Sequence, residues 1–194
     1  QLVDAGAHVA PVMTQDAEHF IGKTTLSALA SEPVHTTLWE DANPIPHTRL
    51  AQRADLIVVA PATARVIGSY AAGISSDFLT ATLIATRAPV LVCPAMHTEM
   101  WEHASVQENI ATLRRRGVHI LEPETGRLAG GDVGAGRLAA PERIFSEVEQ
   151  LLTPGDLYGA HVVVTAGGTR EAIDAVRVIA NRSTGKQGRS EEHT

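Results

Sequence analysis

The chain has one cysteine, Cys93, and two lysines, Lys23 and Lys186, in 194 residues. A lone cysteine cannot close an intramolecular disulfide, so a reducing, cytoplasmic setting is expected. Nucleic-acid and anionic-membrane surfaces need clustered cations, and a formal charge of −6 argues against both. No apolar stretch approaches the roughly 20 residues that cross a bilayer. A GxSxG nucleophile elbow is missing. The glycines between Gly126 and Gly136 lack GxGxxG order, and around Gly185-Lys186 a Walker A loop is excluded by Ala180 and Gln187, which stand where it needs Gly and Ser/Thr. Neither lysine falls in the expected cleft, which weakens a pyridoxal reading. His97, Glu99 and His103 are close in sequence but fit no zinc signature, so no metal is expected. The Arg114-Arg115-Arg116 run ends an amphipathic segment, where it favours the helix dipole and is expected to be solvated.

What is present is an ordinary globular composition, 44% hydrophobic and 20% charged, enough for one full core and the start of another. Strand-length apolar runs recur at His8–Val12, Leu56–Ala60, Val90–Cys93 and Val118–Leu121, with Val34–Leu38 weaker. Between them lie helical periods at Thr24–Ala30, Thr48–Ala54, Arg65–Ala72, Phe78–Thr86 and Val106–Arg116, the last closed by Gly117. Continuous apolar strands alternating with helices predict a buried parallel sheet covered on both faces. Residues 1–14 read as a helix end running through Gly6 into a strand, so the chain is expected to begin inside a domain, without that domain's first strand and loop. The glycine-rich segment after Leu121 reads as a flap, an anion cradle or a plain surface loop. Glu142–Leu152 predicts a helix, 153–156 a linker, and His161–Thr165 the opening strand of a second α/β unit.

Ligand sites of open α/β folds gather at the carboxyl ends of the strands. Two such ends are marked here: Ala60–Ala64, with small side chains, and Cys93–Trp101 (CPAMHTEMW), where Met and Trp suit a flat, polarizable ring or serve simply as core. Cys93 itself suits a small buried hydrophobe better than a thiolate. His47 follows Pro44-Ile45-Pro46, which predicts an extended approach to a helix, and it is either structural or a proton carrier for the same crevice.

In order along the chain, HTRLAQRADLIVVAPATA (His47–Ala64), AAGISSDFLT (Ala71–Thr80), PAMHTEMW (Pro94–Trp101) and GRLAGGDVGAGRL (Gly126–Leu138) resemble the flavin-dependent cysteine decarboxylase family. The third is similar to its PxMNxxMW signature and the fourth to its substrate clamp. The segment from Val162 to Gly188 resembles the opening of the ligase domain fused to the coenzyme A branch of that family. The resemblance implies a flavodoxin-like domain over residues 1–153, a ligase start over 154–188, and a homo-oligomer built on trimers. FMN would be held by Thr14, Thr63, Ala64, Arg65, Val66 and Ala95. His47 would be the acid/base residue, and His97, Met100, Gly130 and Arg137 would face 4′-phosphopantothenoylcysteine. The implied reaction decarboxylates that substrate to 4′-phosphopantetheine, FMN oxidising the thiol so that the electrons left by CO₂ have a sink. In the full-length protein Asn181 would serve a CTP- and Mg²⁺-dependent ligase. Three positions depart from the pattern: His97 replaces the signature Asn, Gly130 a proton-donating Cys, and Arg65 an Asn or Asp. Peptidyl-cysteine decarboxylase and non-catalytic flavin-binding regulator are the rival readings. Arg189–Thr194 (RSEEHT) can be encoded by AGATCGGAAGAGCACACG, the start of a common sequencing adapter, and is expected to be read-through.

Overall fold

The computed structural model describes residues 1–39, 45–128, 130–131, 133–153, 161, 163 and 170–180. Two units are distinguished, Gln1–Thr153 and Pro154–Thr194.

The first unit is organised around three parallel strands in the order β1 (Ile57–Ala62), β2 (Val90–Pro94), β3 (His119–Ile120). Every residue of the central strand β2 is buried, which is why it reads as an unbroken apolar run. Alternate β2 side chains serve opposite faces, as strand geometry dictates. Val90 and Val92 pack with Val66, Ile67, Leu83, Ile110 and Leu113, carried by α3 (Ala64–Ala72), α4 (Phe78–Ala85) and α6 (Ala104–Arg115). Leu91 and Cys93 pack the other way, with Leu121, Ala139 and Val148 of α7 (Pro141–Leu152). Helices on both faces of a parallel sheet make the flavodoxin-like α/β class expected.

Helix boundaries follow local chemistry. Helix α4 opens on a capping box, with Asp77 Oδ1 accepting from the Thr80 amide at 2.7 Å and Thr80 Oγ1 from the Asp77 amide at 3.1 Å. Gly73 closes α3 with φ 73°, a left-handed C′ position that suits glycine. Helix α7 starts with Pro141 at its first turn, and Glu124 Oε1 accepts from the Ala140 amide at 3.0 Å.

Several expectations need correction. Around α1 (Lys23–Leu29), the segments expected as strands at His8–Val12 and Val34–Leu38 meet only in an isolated parallel bridge, Val12 to His35. Two parallel segments with no third strand among the described residues to extend the ladder do not sustain a sheet alone. Helix α2 spans Pro46–Arg53, so His47 lies inside its first turn rather than before it, because proline's fixed φ suits the first helical position. The glycine-rich segment is a paired antiparallel hairpin, β4 (Glu124–Arg127) with β5 (Val133–Arg137), rather than a plain loop. The arginine run is exposed, as expected, with Arg114 paired to Glu122 and Arg116 donating to the Ala71 carbonyl.

In the second unit, β6 (Arg170–Ala172) pairs antiparallel with β7 (Val178–Ala180). Of the strand expected at 161–165, His161 and Val163 lie outside any strand and the other three residues are outside the described ones. Asn181 and the tail 189–194 also lie outside them.

Candidate active site

Strand β1 ends at Ala62, and its carbonyl accepts from the Ala95 amide at 3.1 Å, so the loops after β1 and β2 are joined at the sheet's carboxyl edge. Thr63 is the N-cap of α3, its Oγ1 accepting from the Val66 amide at 3.5 Å. The amides of Ala64 and Arg65, in the first helical turn, have no acceptor within the helix and remain for a ligand. Arg65 reaches two carboxylates, Asp16 at 3.0 Å and Asp77 at 3.6 Å. Asp16 belongs to the 3₁₀ turn Gln15–His19, whose N-cap is Thr14. The guanidinium therefore ties the Thr14 turn to the starts of α3 and α4. Thr14 makes no side-chain cap bond, which leaves its hydroxyl available.

The PAMHTEMW turn follows β2 at the same edge. Its Met96 amide donates to the Gly136 carbonyl of β5 at 2.9 Å. A Cβ on Gly136 would stand 2.1 Å from the Met96 carbonyl oxygen, and one on Gly134 2.1 Å from Thr98 Oγ1. Two glycines spaced i, i+2 present one face of β5, and that bare face lies against the turn and α5 (Thr98–Trp101). These contacts were missed in the sequence, although the VGAGR spacing carries the signal.

Met96 and Trp101 pack against the core, so the core reading holds for these two. Met100 is 47% exposed and lines a recess of about 430 Å³ with Glu99, His103, Ser105 and Val106. His97 is exposed at the N-cap of α5 and makes no side-chain cap bond. His103, by contrast, caps α6 through Nδ1 and the Ser105 amide. On the hairpin, Arg137 lies over Gly126, its Cδ 3.0 Å from where a Cβ would sit, and Gly130 is exposed at the turn.

His47 is carried by α2, which packs on α4 and receives a bond at the Ala51 carbonyl from Thr86 Oγ1 at 3.1 Å. Its ring is half-buried, and Nδ1 is buried without a hydrogen-bond partner. A buried polar atom left so is uncommon and calls for a ligand, a water or a chemical role.

Cys93 is fully buried, and its thiol is pushed up to about 11, first by burial and then by the Glu147 charge. It is therefore a thiol packing unit at neutral pH. We expect Ellman's reagent to leave it untouched at pH 8 in the folded protein and to titrate one thiol after denaturation; fast labelling of the native chain would contradict this.

Residues 1–153 match the model of the family described as Flavoprotein, and residues 157–190 that of the DNA/pantothenate metabolism flavoprotein C-terminal domain. The chain belongs to the flavoprotein family. Among curated relatives it is 53% identical, over 97% of its length, to the coenzyme A biosynthesis bifunctional protein CoaBC of Mycobacterium tuberculosis. It spans about half the length of that relative, 46%. Among solved structures, this flavoprotein is similar to a cysteine-to-serine variant of PPC decarboxylase complexed with pantothenoylaminoethenethiol. That match has 31% identity and a TM-score of 0.66, and covers 76% of this chain and 84% of the other. The FMN binding protein AtHal3 matches at 32% identity and a TM-score of 0.68, covering 76% of this chain and 83% of that one.

Proposed function

We propose that this flavoprotein is the decarboxylase half of a bifunctional coenzyme A biosynthesis protein, converting 4′-phosphopantothenoylcysteine to 4′-phosphopantetheine with FMN. The observation that carries the proposal is the Met96–Gly136 hydrogen bond, which seats the glycine hairpin on the PAMHTEMW turn; with the Ala95–Ala62 bond it brings three of the resembling segments to one edge of the sheet. The residues present fit FMN. Small side chains line Ala60–Ala64, the first-turn amides of α3 are unspent, and Thr14 keeps a free hydroxyl beside them through the Asp16–Arg65 bridge. In our reading Thr14, Thr63, Ala64, Arg65, Val66 and Ala95 hold the cofactor, Arg65 chiefly through its backbone amide because its guanidinium is engaged.

FMN, when bound, supplies the electron sink that a cysteine carboxylate needs before it can lose CO₂. His47 moves a proton, and its unpartnered Nδ1 is the group poised for that exchange. His97 takes the substrate carboxylate and Met100 lies beside it, while Arg137 and Gly130 belong to the clamp over the substrate. The full-length protein would add the CTP- and Mg²⁺-dependent ligase, with Asn181 in its first segment, and would assemble as a trimer-based oligomer in the cytoplasm. One observation favours a second reading: Gly130 offers no proton where the family commonly has a cysteine, which suits a flavin-binding regulator that no longer turns over.

The role of His97 is open to a direct test. Since Asn is the usual residue of the signature, His97→Asn retains the carboxylate contact and is expected to keep activity. His97→Ala loses a charge-assisted or neutral hydrogen bond made to substrate, and kcat/KM is expected to fall by about tenfold or more. Steady-state kinetics on the full-length protein separate the two; wild-type kcat/KM in the alanine variant would remove His97 from the site.

A further inference from the structure

We propose that a second site, at the amino ends of β2 and β3 and so opposite the crevice described above, binds a small phosphate-bearing anion. It is a recess of about 360 Å³ whose wall includes Tyr70, Arg87, Pro89, Arg116, Gly117 and His119. None of its lining residues is a carboxylate, although the chain as a whole carries a formal charge of −6. The local surplus of positive charge therefore has no internal counter-ion at the recess.

The arginine run shows how the surplus arises. Arg114 pairs with Glu122, and Arg115, which donates to Thr112 Oγ1 at 2.9 Å, does not line the recess. Arg116 is turned elsewhere. Its Nη1 donates to the Ala71 carbonyl at 2.6 Å, which anchors the guanidinium while most of its five N–H donors stay free. Arg87 and His119 have no hydrogen bond or ion pair among the described residues. At the carbonyl end of α6 the Thr112, Leu113 and Arg114 carbonyls are taken by the amides of Arg116, Gly117 and Val118, which lessens the opposition of that helix end to an anion. Gly117, at φ 83°, makes that closure possible.

The recess is also built on fixed backbone. Thr86 Oγ1 donates to the Ala51 carbonyl at 3.1 Å and accepts from the Ala88 amide at 3.0 Å, and the Pro89 carbonyl accepts from the Ile57 amide at 3.0 Å. Tyr70 is half-buried beside Arg116, and burial holds its hydroxyl protonated as a further donor. Two planar guanidinium forks with nothing acidic between them suit the tetrahedral, multiply charged oxygens of phosphate better than a single carboxylate. The volume admits a small ligand only. This inference does not depend on the decarboxylase reading.

The test is a titration of the ¹⁵N-labelled chain with inorganic phosphate at constant ionic strength. We expect saturable shifts at the amides of Ala88, Gly117, Val118 and His119, and about tenfold or greater weakening in Arg87→Gln/Arg116→Gln with the rest of the spectrum unmoved. Arg87→Gln alone, at an exposed position, gives the same direction if the double variant does not fold. Shifts that grow linearly without saturating would overturn the site. So would saturation unchanged in the variants, or saturation confined to the amides around Thr14 and Ala64, where the flavin phosphate belongs. Acetate competing as well as phosphate would overturn the ligand class.

Discussion

His47→Asn is expected to reduce CO₂ release by about 10²–10⁴-fold while leaving the flavin absorption spectrum nearly unchanged, the range that a positioned general acid or base contributes. The His47 Nδ1 is buried and unpartnered, in a ring carried by the first turn of α2. A purely structural histidine would spend that nitrogen on a neighbour, since buried polar atoms left alone are costly. Asparagine keeps a polar group of similar reach but cannot take up and return a proton near neutral pH. Stopped assays of CO₂, read beside the visible spectrum of the FMN-loaded full-length protein, separate loss of chemistry from loss of cofactor. Retention of more than roughly a tenth of the rate would return His47 to the structural class.

Gly136→Ala is expected to have the next largest effect, through geometry rather than chemistry. The added Cβ would meet the Met96 carbonyl oxygen at 2.1 Å, and the backbone there has φ 132°, where a side chain is strained. Neither partner is the free end of a flexible side chain, so the hairpin must lift off the turn and the Met96–Gly136 hydrogen bond must break. Strain of this kind costs about 1–3 kcal/mol, which a folded hairpin resolves by moving. We expect KM for the substrate to rise by about tenfold or more, with the core intact by near-ultraviolet circular dichroism. Gly134→Ala is the informative contrast: its Cβ meets Thr98 Oγ1, a side-chain atom that can rotate or be removed. Its effect should be smaller and should be reversed in part by Thr98→Ala. Equal damage from both glycines, with no rescue, would mean that the hairpin tolerates no side chain on that face for some other reason.

The parts of the fold legible in the sequence were those set by burial. Val90–Cys93 reads as a two-sided apolar run because β2 lies at the centre of the sheet, and Gly117 and Gly73 occupy helix ends with positive φ. The edge was harder. His8–Val12 has strand composition but finds only the bridge to His35, since pairing depends on neighbours that composition does not name. The hairpin was hidden for a different reason: VGAGR carries almost no side-chain pattern, and its glycines are set by the approach of Met96 and Thr98. The two strand ends and the start of the helix that carries His47 were legible because prolines and small residues mark them. The engagement of Arg65 by Asp16 and Asp77 was not, since those partners lie 49 and 12 residues away along the chain (65 − 16 and 77 − 65) and meet only in the folded state.

The most direct measurement of the central claim is CO₂ release from 4′-phosphopantothenoylcysteine by the FMN-loaded full-length protein. We expect stoichiometric CO₂ and 4′-phosphopantetheine, and no turnover of a peptide ending in cysteine. Tight FMN binding with no CO₂ from either substrate would contradict the account and identify a flavin-binding protein without this chemistry, and CO₂ from the peptide alone would reassign the substrate.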